Sequence, residues 1–192
     1  MTVSEQKAAL RRDLRAETKR HSAEERAALS IELCRIIGAQ PAWKRAKTVL
    51  FYMPMSDEPD IRPLMATALS EGKTLALPRY SKEEKRYVAC EIKDLEAELR
   101  QGAYGIQEPV LGCPVLELNR LDFLFVPGVG FSLTGRRLGR GKGHYDRLLA
   151  EAQGQKCGVA FDWQVTVEVP TERHDILLNC IVTPTRWHEV AG

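Results

Sequence analysis

Four glycines and five cationic side chains share the thirteen positions of GRRLGRGKGHYDR, residues 135–147. Glycine lets a backbone bend and turn its amides outward, and arginine and lysine bring charge, so the stretch reads as an anion-binding loop. Gly139, Gly141 and Gly143 alternate with Arg140 and Lys142. Unhindered amides and cations can therefore converge on one anion, and the helix expected from Tyr145 onward adds its N-terminal dipole. Asp146 is the lone carboxylate of the cluster, suited to holding Mg²⁺ against phosphate oxygens. Together these point to phosphate. The plainer alternative is a solvated basic loop that binds single-stranded nucleic acid. A strand and a helix fixing its two ends argue against that.

Neither standard nucleotide pattern accounts for the loop. A Walker P-loop would need glycine at Arg136 and a hydroxyl at Gly143, and a dinucleotide fingerprint starting at Gly128 would need glycine at Leu133.

The elements around the loop follow from periodicity. TVLFYM (48–53), TLALP (74–78), DFLFVP (122–127) and KCGVAF (156–161) are short apolar runs rich in strand formers, as in a buried parallel sheet. DIRPLMATALSEG lies between the first two as a helix, with Asp60 as cap and Gly72 as stop. YDRLLAEA lies between the last two as another. VTVEVP and LLNCIV read as late strands, and residues 81–120 give no clear pattern. The first forty residues are helical, with Thr2-x-x-Glu5 and Ser22-x-x-Glu25 fitting capping boxes and the second helix ending near Ile37. In the first helix Lys7, Arg11 and Arg15 form a basic stripe beside Leu10 and Leu14. The alternation of strands and helices predicts an α/β fold: one three-layer domain over residues 1–192, its central sheet mixed but mostly parallel, Rossmann-like without the fingerprint. Ligands of such sheets sit at the carboxyl ends of the strands, where the glycine-rich loop emerges.

The net charge of +2 is too small for a general nucleic-acid or membrane binder, so functional charge must be local. Five scattered cysteines without a C-x-x-C pair read as buried small residues in a reducing cytoplasm, and no apolar run reaches membrane-spanning length. The expected partners are small molecules, with no nucleic acid or membrane, and the chain is expected to be a monomer. His21, His174 and His188 show no metal-ligand spacing and read as surface residues.

PGVGFSLTGRRLGRGKGHYDR closely resembles the signature of the 5-formyltetrahydrofolate cyclo-ligase family. KAALRRDLR, YMPMSDEPD, LPRY, GIQEP and VPTERHD occur in that family's order, so the resemblance covers nearly the whole chain. It implies conversion of 5-formyltetrahydrofolate to 5,10-methenyltetrahydrofolate with ATP and Mg²⁺, through phosphorylation of the formyl oxygen and ring closure by N10. It also implies an ATP site of Lys7, Arg11, Arg137, Leu138, Gly139, Arg140, Gly141, Lys142, Gly143, His144 and Tyr145. Arg140, Lys142 and Tyr145 would be catalytic. The folate would meet Met53, Glu58, Arg140, Gly141, Lys142, Gly143 and His144, and Asp146 and Asp175 would hold the metal. Arg79, Glu108 and Tyr104 are further candidates, Arg79 as a phosphate ligand past a strand end. From the residues alone, Lys7 and Arg11 read as a solvated helix face, Met53 as core, Glu58 as a loop charge and Asp175 as a turn residue. One position departs from the family: G-Y-Y-D is usual where this chain reads Gly143-His144-Tyr145-Asp146. Histidine keeps a flat ring but adds a titratable nitrogen. A nucleotide- or RNA-binding relative without activity and a small-molecule kinase remain as other readings.

Overall fold

The computed structural model describes residues 1–102, 105–172 and 175–191, with His144 through its backbone only. Its main sheet has eight strands: β1 (Thr48–Leu50), β2 (Thr74–Ser81), β3 (Arg86–Ile92), β6 (Val115–Leu116), β7 (Phe123–Val126), β10 (Gln155–Val159), β12 (Cys180–Val182) and β13 (Trp187–Glu189). Their spatial order is β13-β12-β10-β7-β1-β2-β3-β6. The five central strands from β12 to β2 are parallel. β13 closes one edge antiparallel, and β3 and β6 close the other. The mixed, mostly parallel sheet is the one the alternation of elements predicts.

Strand alternation sorts the core into two faces. On β7, Phe123 and Phe125 pack with Leu33, Ile37, Trp43, Leu64 and Met65 of α2 (Ala23–Ala39), α3 (Pro41–Arg45) and α4 (Arg62–Ser70). Leu124 and Val126 face the opposite way, onto Leu148 and Leu149 of α5 (His144–Glu151). Two helical layers thus sandwich the sheet. α1 (Val3–Thr18) packs separately: Leu14 buries against Val129, Leu138 and Val169.

Chain order locates the site. β1 and β2 run to one side of the sheet centre, while β7, β10 and β12 run to the other. The crossovers therefore diverge between β1 and β7, and a crevice opens at the carboxyl ends of those strands.

Several local expectations change. The Thr2–Glu5 capping box forms fully, but at Ser22 only the hydroxyl half does, accepting from the Glu25 amide. α2 runs through Gly38 to Ala39. Asp60 does not cap α4; Ile61 holds that position, and Asp60 instead binds the Arg62 amide and guanidinium. Gly72 does end the helix region with positive φ. β1 stops at Leu50; Phe51 stays in the core with its amide on the Ala76 carbonyl, and Tyr52 and Met53 reach the crevice. Of VTVEVP only Val165–Thr166 pairs, as β11. The glycine-rich loop is not wholly irregular: β8 (Gly130–Ser132) and β9 (Arg137–Leu138) form an antiparallel hairpin that β11 joins. Within 81–120, besides β3 and β6, β4 (Leu99–Gln101) and β5 (Gln107–Pro109) pair as a small ribbon. All five cysteines are buried and free, and among the described residues no helix is long and apolar enough to cross a membrane.

Candidate active site

At the divergence of β1 and β7 lies a cavity of about 700 Å³. Four pieces of chain build it. The loop after β1 supplies Tyr52, Met53, Met55 and Glu58; the region after β7 supplies Pro127, Gly128 and residues 137–143; α1 supplies Lys7, Arg11 and Arg15; and Glu172 and Asp175 close the rim. Tyr145, Asp146 and Glu108 also line it. Nearly every residue singled out from the sequence is thus brought to one place, although Lys7 and Asp175 are 168 positions apart.

The glycine loop owes its path to two residues. Gly141 has φ of 102° and Gly143 has 64°, a region that side chains with a Cβ avoid. Gly143 is also the N-cap of α5, and no side chain caps that helix start. The amides of the first turn of α5 therefore lack side-chain acceptors at the cavity edge. Across the cavity, the Arg11 Nε donates to the Gly139 carbonyl at 2.8 Å, fastening α1 to the loop.

Three cations of the site are paired with carboxylates. Lys7 Nζ lies 2.8 Å from both Glu172 and Asp175, with its side chain only 9% exposed. Burial alone lowers its pKa, but the hydrogen bonds and charges of those carboxylates more than offset this and raise it. A solvated helix face is therefore the wrong description of Lys7. Arg137 pairs with Asp146 at 2.6 Å, and its guanidinium lies 5.7 Å from the Tyr145 ring centroid. Arg137 Nε is the one buried side-chain nitrogen or oxygen without a hydrogen-bond partner among the described residues. The other end of the guanidinium is engaged, Nη2 by Asp146 and Nη1 by the Pro127 carbonyl.

Arg140 is shared. Its Nη2 reaches Asp57 at 2.5 Å and Glu58 at 2.9 Å. Glu58 also accepts from the Met55 amide at 3.0 Å and is buried, with 6% of its side chain exposed. Burial raises the Glu58 pKa, while Arg140 and the Met55 amide pull against it without prevailing. The Glu58 carboxylate is thus a buried acceptor, not a loop charge. Met53 is only partly buried and lines the cavity. Burial, with the Glu58 charge adding, also raises the Tyr145 pKa, so its phenol stays protonated. Lys142 is exposed at the rim.

Arg79 is not brought to the cavity. Its guanidinium donates to the Val110 carbonyl at 2.7 Å and ties the segment after β5 to β2; the strand end it was expected to follow continues to Ser81. Tyr104 and His174 lie outside the described residues, as does the His144 side chain. Asp57 and Glu172 escaped sequence reasoning, because their cations come from distant chain. The D-E pair beside the β1 loop was the available signal for Asp57.

Asp146 and Asp175 both line the cavity, with Glu172 beside Asp175. Among the described residues no three histidine, cysteine or acidic side chains gather into a metal cage. Mg²⁺ characteristically takes one or two carboxylates and completes its shell with phosphate oxygens and water. The donor set fits a metal arriving with a polyphosphate, not a permanent structural ion.

The family model for the 5-formyltetrahydrofolate cyclo-ligase family matches residues 3–184. The chain belongs to the 5-formyltetrahydrofolate cyclo-ligase family. A mouse (Mus musculus) 5-formyltetrahydrofolate cyclo-ligase is 29% identical over 190 residues, covering 93% of this chain and 94% of the mouse protein. The Escherichia coli K12 cyclo-ligase is 35% identical over 148 residues, covering 75% and 81%. The solution structure of Aquifex aeolicus 5,10-methenyltetrahydrofolate synthetase superposes with a TM-score of 0.87 at 35% identity, over 97% of this chain and 93% of that one. The Mycoplasma pneumoniae synthetase shares the fold, with a TM-score of 0.74 at 21% identity, over 93% and 98%. The cyclo-ligase resemblance of the glycine-rich motif thus extends over residues 3–184.

Proposed function

We propose that this cavity converts 5-formyltetrahydrofolate to 5,10-methenyltetrahydrofolate at the expense of ATP, releasing ADP and phosphate. The observation that carries the reading is Arg140: one guanidinium on the phosphate-cradling loop touches Glu58, the buried acceptor of the opposite wall. A phosphate subsite and a subsite for a flat N–H-rich heterocycle therefore meet at one side chain.

Chemistry needs that juxtaposition. A formamide oxygen is a poor leaving group. Its attack on the γ-phosphorus breaks the bond to ADP and gives an imidate phosphate. N10 then adds to the formyl carbon and loses its proton, and phosphate leaves with the former formyl oxygen. Such transfer depends on positioning and charge neutralisation. Arg140 and Lys142 are placed to neutralise the moving phosphoryl group, and the α5 amides and Arg137 to hold phosphate oxygens. Lys7 and Arg11 would meet the nucleotide from α1. Glu58 would accept pterin N–H groups, with Met53 against the ring. The Tyr145 phenol, kept protonated, can donate a hydrogen bond. Asp146 and Asp175 would hold Mg²⁺, which when bound offsets charge on the phosphate oxygens. The enzyme would act as a monomer on small molecules, and the free cysteines support a reducing, cytoplasmic setting.

The test follows product absorbance and ADP together. Methenyl product rising in step with ADP, both dependent on formylfolate, is expected, and ATP turnover indifferent to the folate would refute the reading. Free inorganic phosphate separates it from a small-molecule kinase, which leaves phosphate on its product.

A further inference from the structure

A second cavity, of about 380 Å³, adjoins the first. Met53, Met55, Ile106 and Gln107 line both, so shared side chains form the boundary between them. Beyond that boundary the second cavity is bounded by Pro54, Ser56, Gly105 and Arg62. Arg62 is the only charged residue among its described lining. It opens α4, and its hydrogen bond to Asp60, against burial and with the Asp60 charge adding, raises its pKa. Asp60 engages Nε at 2.9 Å and Nη2 at 2.6 Å. The Nη1 edge is engaged by no described residue, so it can donate to a second acceptor.

The folate substrate of the proposed function is shaped for this arrangement, and the role of the second cavity rests on that function. Beyond the pterin, 5-formyltetrahydrofolate carries an aromatic ring and then a dicarboxylate. With the pterin against Glu58 and the reacting nitrogens near Arg140, the cations of the main cavity face the triphosphate. The tail must leave by another side. Two methionines and an isoleucine make an apolar passage suited to a flat ring. A lone arginine beyond them suits a carboxylate. We propose that the second cavity receives the acidic tail of the folate and that Arg62 is the residue recognising its carboxylate. It is a specificity residue, outside the reacting atoms.

Titration calorimetry on the purified protein, with two ligands, tests this. One is 5-formyltetrahydrofolate; the other is 5-formyl-6-methyltetrahydropterin, which has the ring system without the tail. Arg62→Gln should weaken the folate by about three- to fivefold, the range for a solvent-exposed ion pair. It should leave the pterin, kcat and the KM for ATP unchanged, and added salt should shrink the difference. Arg62→Lys should recover part of the loss. Asp60→Asn should tighten the folate, because Arg62 is then no longer divided between two carboxylates. Unaltered folate affinity in Arg62→Gln, equal weakening of both ligands, or a folate weakened by Asp60→Asn would overturn the assignment. If the unmodified protein binds neither ligand, the folate reading falls and the tail site with it. If the unmodified protein turns over folate and Arg62→Gln behaves identically, the tail site alone falls.

Discussion

Glu58→Gln isolates the folate side of the cavity. In the substrate-free protein the change removes a charge that is costly to bury and weakens two contacts to Arg140, at 2.9 and 3.2 Å. Arg140 is not stranded, because Asp57 remains at 2.5 Å. The two effects oppose, so stability should move by no more than about 1 kcal/mol, or roughly 2–4 °C in Tm. Binding has no such compensation. A carboxylate accepting two N–H groups makes charge-assisted bonds of about 1.5–3 kcal/mol each, and an amide keeps one neutral acceptor. A loss of about 2–4 kcal/mol corresponds to roughly 30- to 1,000-fold in kcat/KM for the folate. The pH profile gives a second signature. Burial raises the Glu58 pKa above 4.5, so the wild-type acid limb should lie above the ordinary carboxylate range and vanish in Glu58→Gln. For stability the sign is reversed. A raised carboxyl pKa contributes stability that is present below pH 4.5 and lost as pH rises through the folded value. Acidification through this window should therefore depress activity while this group's contribution to stability grows. The assay is initial methenyl absorbance against folate concentration, with melting curves at each pH. A Glu58→Gln enzyme within threefold of wild-type kcat/KM, with an unchanged acid limb, would refute the reasoning.

Lys142→Ala should stay folded, since the side chain is exposed, while kcat falls about 100-fold for loss of one preorganised charge; melting and steady-state rates check both halves. Lys7→Met removes the ammonium held 2.8 Å from Asp175, whose side chain is 12% exposed. About 2 kcal/mol should be lost after discounting half-exposed Glu172, and Asp175→Asn in the same chain should restore part, measured by denaturant titration. Because the Lys7 pKa is raised, its contribution is full below pH 10.5 and disappears as pH rises through the folded value. Gly141→Ala puts a Cβ where φ is 102°, at a strain of about 1–2 kcal/mol, and should raise the KM for ATP more than that for folate.

What the sequence makes legible is local or periodic. The Thr2 capping box needs only neighbours three residues apart, and the parallel strands announce themselves as apolar runs. The glycine-rich loop shows its purpose by composition. β3 was hidden because its residues make sense only in antiparallel register with β2, from Leu75 opposite Ile92 to Ser81 opposite Arg86. The β8–β9 hairpin was hidden because glycine and arginine outweigh its short paired segments. Burial of Glu58 and Lys7 is invisible for another reason: their partners, Arg140 and Asp175, lie 82 and 168 positions away. His21 shows the same limit. It stacks on Trp163 with centroids 3.6 Å apart and meets Glu25 at 2.8 Å, pinning the α1–α2 junction to the chain just before β11.

The pairing of cations with carboxylates also explains how so charged a cavity is stable without its ligands. Lys7, Arg137 and Arg140 would repel one another and a cationic loop if left alone. Each instead holds an acid: Glu172 and Asp175, Asp146, and Asp57 with Glu58. In the proposed reaction these acids have second employment. As Arg137 turns to phosphate, Asp146 becomes available to a metal ion; as Lys7 does so, Asp175 does too. Exchange of partners would keep the charge balanced, so on the proposed reading nucleotide and metal would enter most favourably together. Arg140 extends the same logic to the folate. Phosphate drawing Arg140 away would release Glu58 for the pterin, and a pterin on Glu58 would loosen Arg140 for phosphate. Linkage makes that effect equal in both directions. On the proposed reading the ion pairs of the resting cavity would stand in for the substrates, and breaking them once would serve both binding events.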